Sequence, residues 1–477
     1  MTKLSSVMKE KLKKALYAKS IALVGASPDQ LAVGFGTLYN ILRWPFKGSV
    51  FPINPKYDSI MGIKCYKSLE EIVPPPDLVV FLVNHRLALE MIPTAARHGC
   101  SAGIIVAGGF KEISGEEGKS LEKALVESAV KHEFPIIGPN TLGFCNFLDG
   151  IHAIFAHLDV SPKPPISPSI AILSQSGGVG LTIASNIKSL GIEPAFFIGV
   201  GNRSVVDFED YISILREDNR LTTFCLFIEG MEYPRGLYEV LAEINSSHHV
   251  VVYKAGKHEA VTKATVTHTG AMAGNYALYR AMFEQCGAVE VESARDVAVA
   301  AKALSMVPLP KGNKLAIMTF TAGPAIVAMD RTVRAGWNLA PLSQGLLNRV
   351  RKIIGENTPV DLQNPLDLTG PGFVPNTYAS VMEQVLQEDF DAYLFIWGIN
   401  PLIRPPIMEW KAFRERYPEK SMIFVMIAHA EEGVPLLREM ARLGLCGYLT
   451  PEDGALALNS LLKRAFRRGI IKLDQEL

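Results

Sequence analysis

Cysteine is scarce in this chain, and its arrangement excludes two classes of small, cross-linked protein. The six cysteines of the 477 residues stand singly, and no Cys-x-x-Cys pair or zinc-type Cys/His spacing occurs. Disulfide-rich scaffolds and zinc-finger modules are therefore excluded. Isolated cysteines are typical of reduced core thiols, which predicts a cytoplasmic protein.

An excess of charge of either sign is also absent. Lysine plus arginine and aspartate plus glutamate number 48 each, so nothing favours a nucleic-acid partner or an acidic tail. Long apolar runs are missing too, since stretches such as Ile104–Ala107 have strand length and fall far short of a membrane span. The N-terminal segment 3–14 is polar, rich in lysine and without the apolar core of a signal peptide. We expect neither membrane nor nucleic acid among the partners.

A β–turn–α pattern occurs three times instead. Apolar runs that begin at Ile21, Ile170 and Leu315 each lead through small or polar residues into a helical pattern, at a spacing of roughly one domain. A proline-rich stretch, 161–168, and a second break at 307–312 separate the three patterns. The sequence therefore predicts an α/β fold with three doubly wound parallel-sheet domains, over 1–160, 166–306 and 310–477.

Small and polar residues end the predicted strands of the first domain, where parallel sheets bind their ligands. They are Gly25, Ala26, Ser27, Asn54, Lys56, Val83, Asn84, Ala107, Gly108, Gly109 and Asn140. The first turn is not Gly-x-Gly-x-x-Gly, and no acidic residue ends the second strand to hold a ribose. Lys56 stands there instead, which favours the extra phosphate of coenzyme A over the ribose hydroxyls of NAD. The alternative, that these are plain turn residues, stays open.

Two features of the second domain point to anion chemistry. Ser174–Gly178 opens a helix whose amides and dipole would face an anion, although a simple serine cap is the alternative. Glu229 ends the third strand of that domain, where a carboxylate can hold the far nitrogen of an imidazole and fix its tautomer. A lone glutamate at a strand end is also commonly a solvated charge.

One histidine stands in a segment of small residues. His268 lies between Thr265 and Gly274, where glycine and alanine leave backbone amides uncovered and permit positive φ. Such a histidine is accessible to an anion, and an imidazole attacks and leaves well near neutral pH. A His-Thr-Gly turn without function is the alternative, and the anion-binding features upstream favour the nucleophile.

Eight short segments occur in one order along nearly the whole chain: Val24–Ser27, Ile53–Lys56, Ile137–Asn140, Leu173–Gly178, Ile198–Asn202 with Asp207, Ile228–Gly230, His268–Gly274 and Asn364–Gly370. In that order they resemble the α subunit, or α-like part, of the nucleoside-diphosphate-forming acyl-CoA synthetases, relatives of succinyl-CoA synthetase. The resemblance implies a Rossmann-like CoA-binding domain followed by two flavodoxin-like ligase domains, the first of which carries a phosphohistidine loop.

The same resemblance implies roles for individual residues. Coenzyme A would contact Gly25, Ala26, Ser27, Lys56, Val83, Ala107, Gly108, Gly109 and Asn140. His268 would be phosphorylated in turnover, Glu229 would orient it, and Gln175, Ser176, Gly177 and Gly178 would bind the phosphoryl group. The implied reversible reaction converts acyl-CoA, phosphate and ADP or GDP into carboxylic acid, CoA and the nucleoside triphosphate, through an acyl phosphate and phospho-His268.

The nucleotide step is expected to need another polypeptide. Fused members of the family continue with an ATP-grasp module, and no P-loop or other nucleotide-binding pattern is found in these 477 residues. We therefore expect a hetero-oligomer with an ATP-grasp β subunit that binds ADP or ATP and Mg. Thr321–Pro324 stands where the family tends to have a double glycine, so the role of the third domain stays open.

Two other functions compete with the ligase. A non-catalytic CoA or acyl-CoA sensor would keep the fold, but a degraded histidine segment would be expected, and here it is intact. An NAD-dependent oxidoreductase is disfavoured by the missing glycine fingerprint and ribose acid. The acyl group and the choice between ADP and GDP cannot be read from the sequence.

Overall fold

The computed structural model describes residues 4–113, 115–158, 164, 166–258, 275–398 and 402–472. Within them lie three mainly parallel sheets accompanied by helices, as the repeated β–turn–α pattern predicts. Most of the proline-rich stretch 161–168 lies outside the described residues. No helix in the described part of the chain is both long and apolar enough to cross a membrane.

The first sheet has the order β2-β1-β5-β6-β7, and all its neighbouring strands pair in parallel. Its elements, with the small hairpin β3–β4, are α1 (Ser6–Leu16), β1 (Ser20–Val24), α2 (Val33–Arg43), β2 (Ser49–Ile53), β3 (Ser59–Ile60), β4 (Ile63–Lys64), β5 (Leu78–Phe81), α3 (His85–His98), β6 (Ala102–Ile105), α4 (Glu116–Lys131) and β7 (Ile136–Ile137).

The second sheet has the order β14-β13-β12-β10-β11-β8-β9. Its elements are β8 (Gly143–Asn146), β9 (Ile151–Ile154), β10 (Ile170–Ser174), α5 (Gly177–Ser189), β11 (Phe196–Gly199), α6 (Phe208–Leu215), β12 (Thr223–Ile228), α7 (Arg235–Ile244), β13 (His249–Lys254), α8 (Tyr276–Gln285), β14 (Val289–Val291) and α9 (Ala294–Met306).

The third sheet has the order β16-β15-β17-β18-β19 and is parallel. Its elements are β15 (Leu315–Thr319), α10 (Ala322–Arg334), α11 (Gln344–Ile354), β16 (Leu366–Asp367), a 3-10 turn (Gly370–Phe373), α12 (Pro375–Leu386), β17 (Ala392–Gly398), α13 (Ile407–Arg416), β18 (Ser421–Ile427), α14 (Ala430–Arg442), β19 (Gly447–Tyr448) and α15 (Pro451–Arg467).

The central strands form where short apolar runs occur, because a strand covered on both faces needs apolar side chains on both. Every residue of β5, β6, β10 and β12 is buried. The five parallel strands of each sheet, numbered in chain order, are arranged as 2-1-3-4-5. This doubly wound order creates a crevice beside the first strand. The predicted α/β class and its parallel sheets are confirmed.

Strands β8 and β9 differ from the predicted organisation. The range 1–160 assigns them to the first domain, but β8 pairs with β11 and β9 with β8, both antiparallel, as an extension of the second sheet. Helix α2 packs against β9, and the side-chain amide of Asn40 donates to the carbonyl groups of Ile154 and Ala156 at 2.8 and 2.9 Å. The physical reason is that segment 143–146 finds its hydrogen-bonding partner in the free edge of β11, and segment 151–154 then pairs with the edge of β8.

Buried cations join the second and third sheets. Lys302 of α9 donates from Nζ to the carbonyl groups of Leu190 and Gly447 at 2.6 and 2.7 Å. Arg464 of α15 is fully buried and donates to backbone carbonyls that include Gly287 and His248, both at 2.6 Å. These bonds, with packing of α9 against α15, hold the two sheets together.

Candidate active site

The turn after β1 is tightly packed against its neighbours. Gly25 has φ of +89°, and a Cβ there would lie 2.9 Å from both the carbonyl oxygen of Leu82 and Cγ1 of Val83. A Cβ on Gly34 of α2 would lie 2.3 Å from the carbonyl oxygen of Gly25. The turn therefore accepts no side chain at either glycine. Ser27 accepts a hydrogen bond from the amide of Asp29 at 3.1 Å, which shapes the exit of the turn.

Lys56 lies in the turn that follows β2, at the same edge of the first sheet. The side-chain amide of Asn54 donates to the carbonyl group of Ala26 at 2.8 Å, and its Oδ1 accepts the amide of Lys56 at 3.0 Å. This turn ties the ends of β1 and β2 together. Lys56 itself is exposed, and its ammonium group makes no ion pair within the described residues.

The ends of β6 and β7 meet farther along the edge. The amide of Asn140 donates to the carbonyl group of Ala107 at 3.0 Å, and Asn140 has φ of +55°. A Cβ on Gly108 would lie 3.5 Å from Oδ1 of Asn140, and one on Gly109 would lie 2.5 Å from Nδ1 of His85. The predicted coenzyme A residues therefore do line consecutive strand ends of one sheet.

A polar network crosses from this edge to the second domain. Asn202, which is buried after β11, accepts a hydrogen bond at Oδ1 from Asn140 at 3.3 Å and donates from Nδ2 to Glu112. Its carbonyl group accepts Nζ of Lys111 at 2.7 Å, and burial lowers the pKa of Lys111. The second carboxylate oxygen of Glu112 accepts the amide of Phe110 at 2.9 Å. The network therefore holds the first and second domains together beside the crevice between them.

Sequence reasoning gave Lys111 and Glu112 no role. The one available signal is their position just after the strand-end glycines 108 and 109, but two charged residues in a loop are indistinguishable from solvated side chains. Asn202 belongs to a segment that carries the family resemblance, yet its contact with the first domain could not be read from it.

The turn between β10 and α5 keeps amides open toward the crevice. Oγ of Ser176 accepts the amide of Val179 at 3.4 Å and so caps α5. A Cβ on Gly178 would meet no heavy atom within 4 Å, whereas one on Gly177 would lie 2.6 Å from Leu142. The first turn of α5 thus has open space beside Gly178, with the positive end of the helix dipole behind it.

Gln175 holds the neighbouring turn. Its Oε1 accepts the amides of Glu229 and Gly230 at 2.6 and 3.2 Å, and its Nε2 donates to the carbonyl group of Gly230 at 3.0 Å. These bonds occupy its side-chain amide, so Gln175 positions Glu229 through the backbone. The same side-chain amide is predicted to contact a phosphoryl group, so that role would compete with its structural bonds to residues 229 and 230.

A second set of contacts holds Glu229 from β13. Lys254 is buried, donates from Nζ to the carbonyl group of Glu229 at 2.7 Å and lies 4.7 Å from the ring centre of Tyr279. Burial lowers the pKa of Lys254 to about 8, against the opposing attraction of Glu229 and Glu290. Glu229 is half-buried at the end of β12, where the sequence predicts it.

Arg203 and Asp207 complete the support of this turn. Arg203 is buried and has φ of +60°; its Nη1 lies 2.8 Å from Oδ2 of Asp207, and its Nη2 donates to the carbonyl group of Gly230 at 2.8 Å. Asp207 also caps α6. Arginine is suited to this position because its rigid fork serves two acceptors at once.

His268 lies outside the described residues, as does the whole range 259–274. The described chain ends after β13 at residue 258 and resumes at Asn275, which caps α8. Lys254 and Tyr279, which contact each other near Glu229, stand on the two elements that flank this range. Within the described residues, no three His, Cys, Asp or Glu side chains are placed to hold a metal ion.

Comparison with known proteins decides the family. A CoA binding domain model matches residues 19–146, and a model of the succinyl-CoA ligase like flavodoxin domain matches residues 167–304. Subunit alpha of acetate–CoA ligase [ADP-forming] II from Pyrococcus furiosus is 30% identical over 94% of this chain and 96% of that subunit. The chain belongs to the ADP-forming acyl-CoA ligase family. The relatives in this ligase family include separate α subunits and longer single chains, such as ADP-forming acetate–CoA ligase I of Archaeoglobus fulgidus, of which this chain matches 55% at 30% identity.

Solved structures agree with this assignment. The dinucleotide-forming acetyl-coenzyme A synthetase 1 of Ca. Korarchaeum cryptofilum, in complex with phosphate and ADP, superposes with a TM-score of 0.87 at 27% identity. The match covers 96% of this chain and 98% of that one. A protein of Pyrococcus horikoshii OT3 gives a TM-score of 0.84 at 28% identity, over 96% and 100% of the two chains. The three-domain architecture is therefore that of the ligase family.

Proposed function

We propose that this chain is the CoA-binding, phosphohistidine-carrying subunit of an ADP- or GDP-forming acyl-CoA synthetase. It converts acyl-CoA and phosphate into a carboxylic acid and CoA while His268 receives the phosphoryl group. The observation that carries the proposal is the arrangement around Glu229, which Gln175 fixes from the turn that opens α5. A carboxylate and an anion-facing helix start are thus joined beside β13, the last described strand before the range that contains His268.

Coenzyme A fits the edge of the first domain. Glycine amides at residues 25, 108 and 109 allow close backbone approach, while Lys56 offers an unpaired ammonium group for a phosphate among the described residues. Gly25, Ala26, Ser27, Lys56, Val83, Ala107, Gly108, Gly109 and Asn140 form this proposed surface. The network of Asn140, Asn202 and Glu112 then sets its distance from the second domain.

The phosphoryl transfer uses groups of the second domain. Phosphate attacks the thioester carbonyl carbon and displaces the CoA thiolate, which gives an acyl phosphate. A nitrogen of His268 attacks phosphorus, the bond to the acyl oxygen breaks and the carboxylate leaves. Glu229 accepts a hydrogen bond from the other ring nitrogen and stabilises the positive charge that develops on the imidazole. Ser176, Gly177 and Gly178 offer the helix dipole to the phosphoryl oxygens.

The nucleotide binds to a partner in this proposal. An ATP-grasp β subunit would supply the ADP or GDP and Mg sites, and His268 would carry the phosphoryl group to it. The relatives named as α subunits support such an assembly. We expect the complex to be cytoplasmic.

Labelling tests the central step. The protein is incubated with labelled phosphate and acetyl-, 4-hydroxybutyryl- or feruloyl-CoA, acyl groups that the names of its relatives suggest. We expect label that is labile in acid and stable in base, and that is absent from His268→Ala but retained in His132→Ala. Equal labelling of His268→Ala, or no labelling with any of the three acyl-CoA substrates, would contradict the proposal.

A further inference from the structure

A second cavity lies at the opposite edge of the sheets from the proposed coenzyme A surface. Its volume is about 730 Å³, and it lies between the amino ends of β1 and β2 and the turn that joins β8 to β9. Residues 17–19 and 44–49 form one wall, and residues 147–150 with Arg220 form the other. The volume is within the range of small-molecule sites, and the cavity spans the first and second sheets.

Aromatic rings form the inner surface of this rear cavity. Trp44 and Phe147 both line it and pack on the buried ring of His152, with ring centres 4.3 and 4.8 Å apart from it. Tyr17 also lines the cavity, with its ring centre 5.7 Å from that of Phe196 and its hydroxyl donating to Asp218 at 2.8 Å. Packing on buried partners fixes these rings, so a planar ligand could stack on them with little loss of side-chain entropy.

The backbone that carries the rings is also closely packed. A Cβ on Gly48 would lie 2.2 Å from the carbonyl oxygen of Lys19, and one on Gly150 would lie 2.9 Å from that of Pro45. The side-chain amide of Asn146 donates to the carbonyl group of Leu16 at 3.1 Å and to Asp149 at 2.8 Å. Both walls are therefore preformed.

Cationic side chains are among the residues that line the cavity. Lys19 and Lys47 are exposed, and their ammonium groups make no hydrogen bond or ion pair within the described residues. Arg220 lies 2.7 Å from Asp218 and 3.4 Å from Asp149, so its charge is largely matched. The two lysines leave a net positive charge beside the aromatic surface.

We propose that this rear cavity, between Trp44, Phe147, Lys19 and Lys47, binds a small molecule that combines a planar ring with a phosphate or carboxylate group. The ring stacks on Trp44 or Phe147, and the acidic group contacts the two lysines. A mononucleotide and an aromatic carboxylic acid share this chemistry. The site lies at the amino ends of the strands, so it is separate from the surface proposed for coenzyme A.

Fluorescence of Trp44 tests the site directly. The other three tryptophans, Trp337, Trp397 and Trp410, are buried in the third domain, so Trp44 alone reports on the rear cavity. The full chain is titrated separately with AMP and with 4-hydroxybenzoate up to about 1 mM, the limit of weak specific binding. We expect at least one probe to quench the emission saturably, and the quenching to disappear in Trp44→Phe, which keeps a ring.

Charge variants provide the second arm. Lys19→Glu with Lys47→Glu should weaken the quenching probe on the order of tenfold, the loss expected when a charge-assisted contact is removed. Lys352→Glu, on an exposed helix of the third domain, and Lys56→Ala, at the proposed coenzyme A surface, should leave that affinity unchanged. Quenching by AMP alone identifies a nucleotide site, and quenching by the benzoate alone an aromatic-acid site. Absence of Trp44-dependent quenching by both probes, or equal affinity in the double lysine variant, overturns the proposal.

Discussion

At the scale of single residues, Glu229 owes its place to bonds made by its backbone. Gln175 accepts its amide at 2.6 Å and Lys254 donates to its carbonyl group at 2.7 Å, while the carboxylate stands half-buried at the strand end. A change in the side chain therefore leaves the main-chain position intact. This separation makes Glu229 suitable for substitution.

Glu229→Gln should slow phosphorylation of His268 by a factor of about 10² to 10⁴, the usual effect of a positioned acid or base. Glutamine keeps the shape but cannot stabilise the charged imidazole. Single-turnover labelling measures the rate, and calorimetry should show unchanged affinity for coenzyme A. Glu232→Gln, an exposed neighbour, serves as the control. A Glu229→Gln rate close to that of the native chain would remove Glu229 from the mechanism.

His152 gives the protein a pH dependence. It is fully buried between Trp44 and Phe147, both ring nitrogens lack partners among the described residues, and burial lowers its pKa from 6.5 to about 3. The unfolded chain binds a proton below pH 6.5 that the folded chain binds only near pH 3. Stability is therefore lost as the pH falls through this window.

His152→Phe should remove this loss because phenylalanine keeps the ring and does not titrate. At about pH 5 the variant should gain about 2 kcal/mol of unfolding free energy beyond any gain at about pH 8. Urea unfolding at the two pH values measures the difference, with His132→Phe, at a half-buried histidine after α4 of the first domain, as a matched variant. An identical gain at both pH values would show that His152 is not the titrating group.

At the scale of elements, the turns after β10 and β12 form one unit. Gln175 joins the two turns with three side-chain hydrogen bonds, one to Glu229 and two to Gly230. Arg203 adds one more bond, to the carbonyl group of Gly230. Two loops that are distant in sequence are thus kept at a fixed separation. The start of α5 and the candidate carboxylate share this support.

Gln175→Leu should lower the free energy of unfolding by about 2–3 kcal/mol, because it leaves the amides of Glu229 and Gly230 without their acceptor, while the carbonyl group of Gly230 keeps its bond from Arg203. Hydrogen exchange at Glu229 and Gly230 should accelerate, and phosphorylation of His268 should fall with it. Gln344→Leu, an exposed glutamine on α11, should change neither property. Unchanged exchange at residues 229 and 230 would mean that Arg203 alone holds the turn.

At the scale of the whole molecule, the second and third sheets are held together because a buried arginine of α15 donates hydrogen bonds to the backbone of the second domain. Arg464 bonds to the carbonyl groups of Asn245, His248 and Gly287, and burial lowers its pKa to about 9. A buried cation is tolerated here only because several acceptors satisfy it. Lys302 makes an equivalent link from α9.

Arg464→Met should lower the free energy of unfolding by about 3 kcal/mol or more, since several buried carbonyl groups lose their donors. It should also broaden or split the calorimetric transition, as the third domain separates from the second. Arg442→Met, an exposed arginine at the end of α14, should leave the transition unchanged. A single sharp transition at the native temperature in Arg464→Met would show that apolar packing suffices to join the sheets.

The sequence by itself determined most of the central strands, the class of fold and the family. Runs such as Ile170–Ser174 and Leu315–Thr319 are local patterns that can be read from the sequence. A strand buried on both faces needs apolar side chains on both, so its composition identifies it. Strand-end residues such as Gly25, Lys56 and Glu229 were predictable for the same reason, since parallel topology brings strand ends to one edge.

Only the tertiary structure decided which sheet β8 and β9 join, what Gln175 binds and where Arg464 and Lys302 lie. Strand pairing and buried polar contacts connect residues far apart in sequence, and their energy depends on geometry that no local pattern encodes. A lysine or arginine in a helix normally faces solvent, so its burial becomes evident only when the second partner is in place. The rear cavity has the same origin, because its lining residues come from four separate segments of the chain.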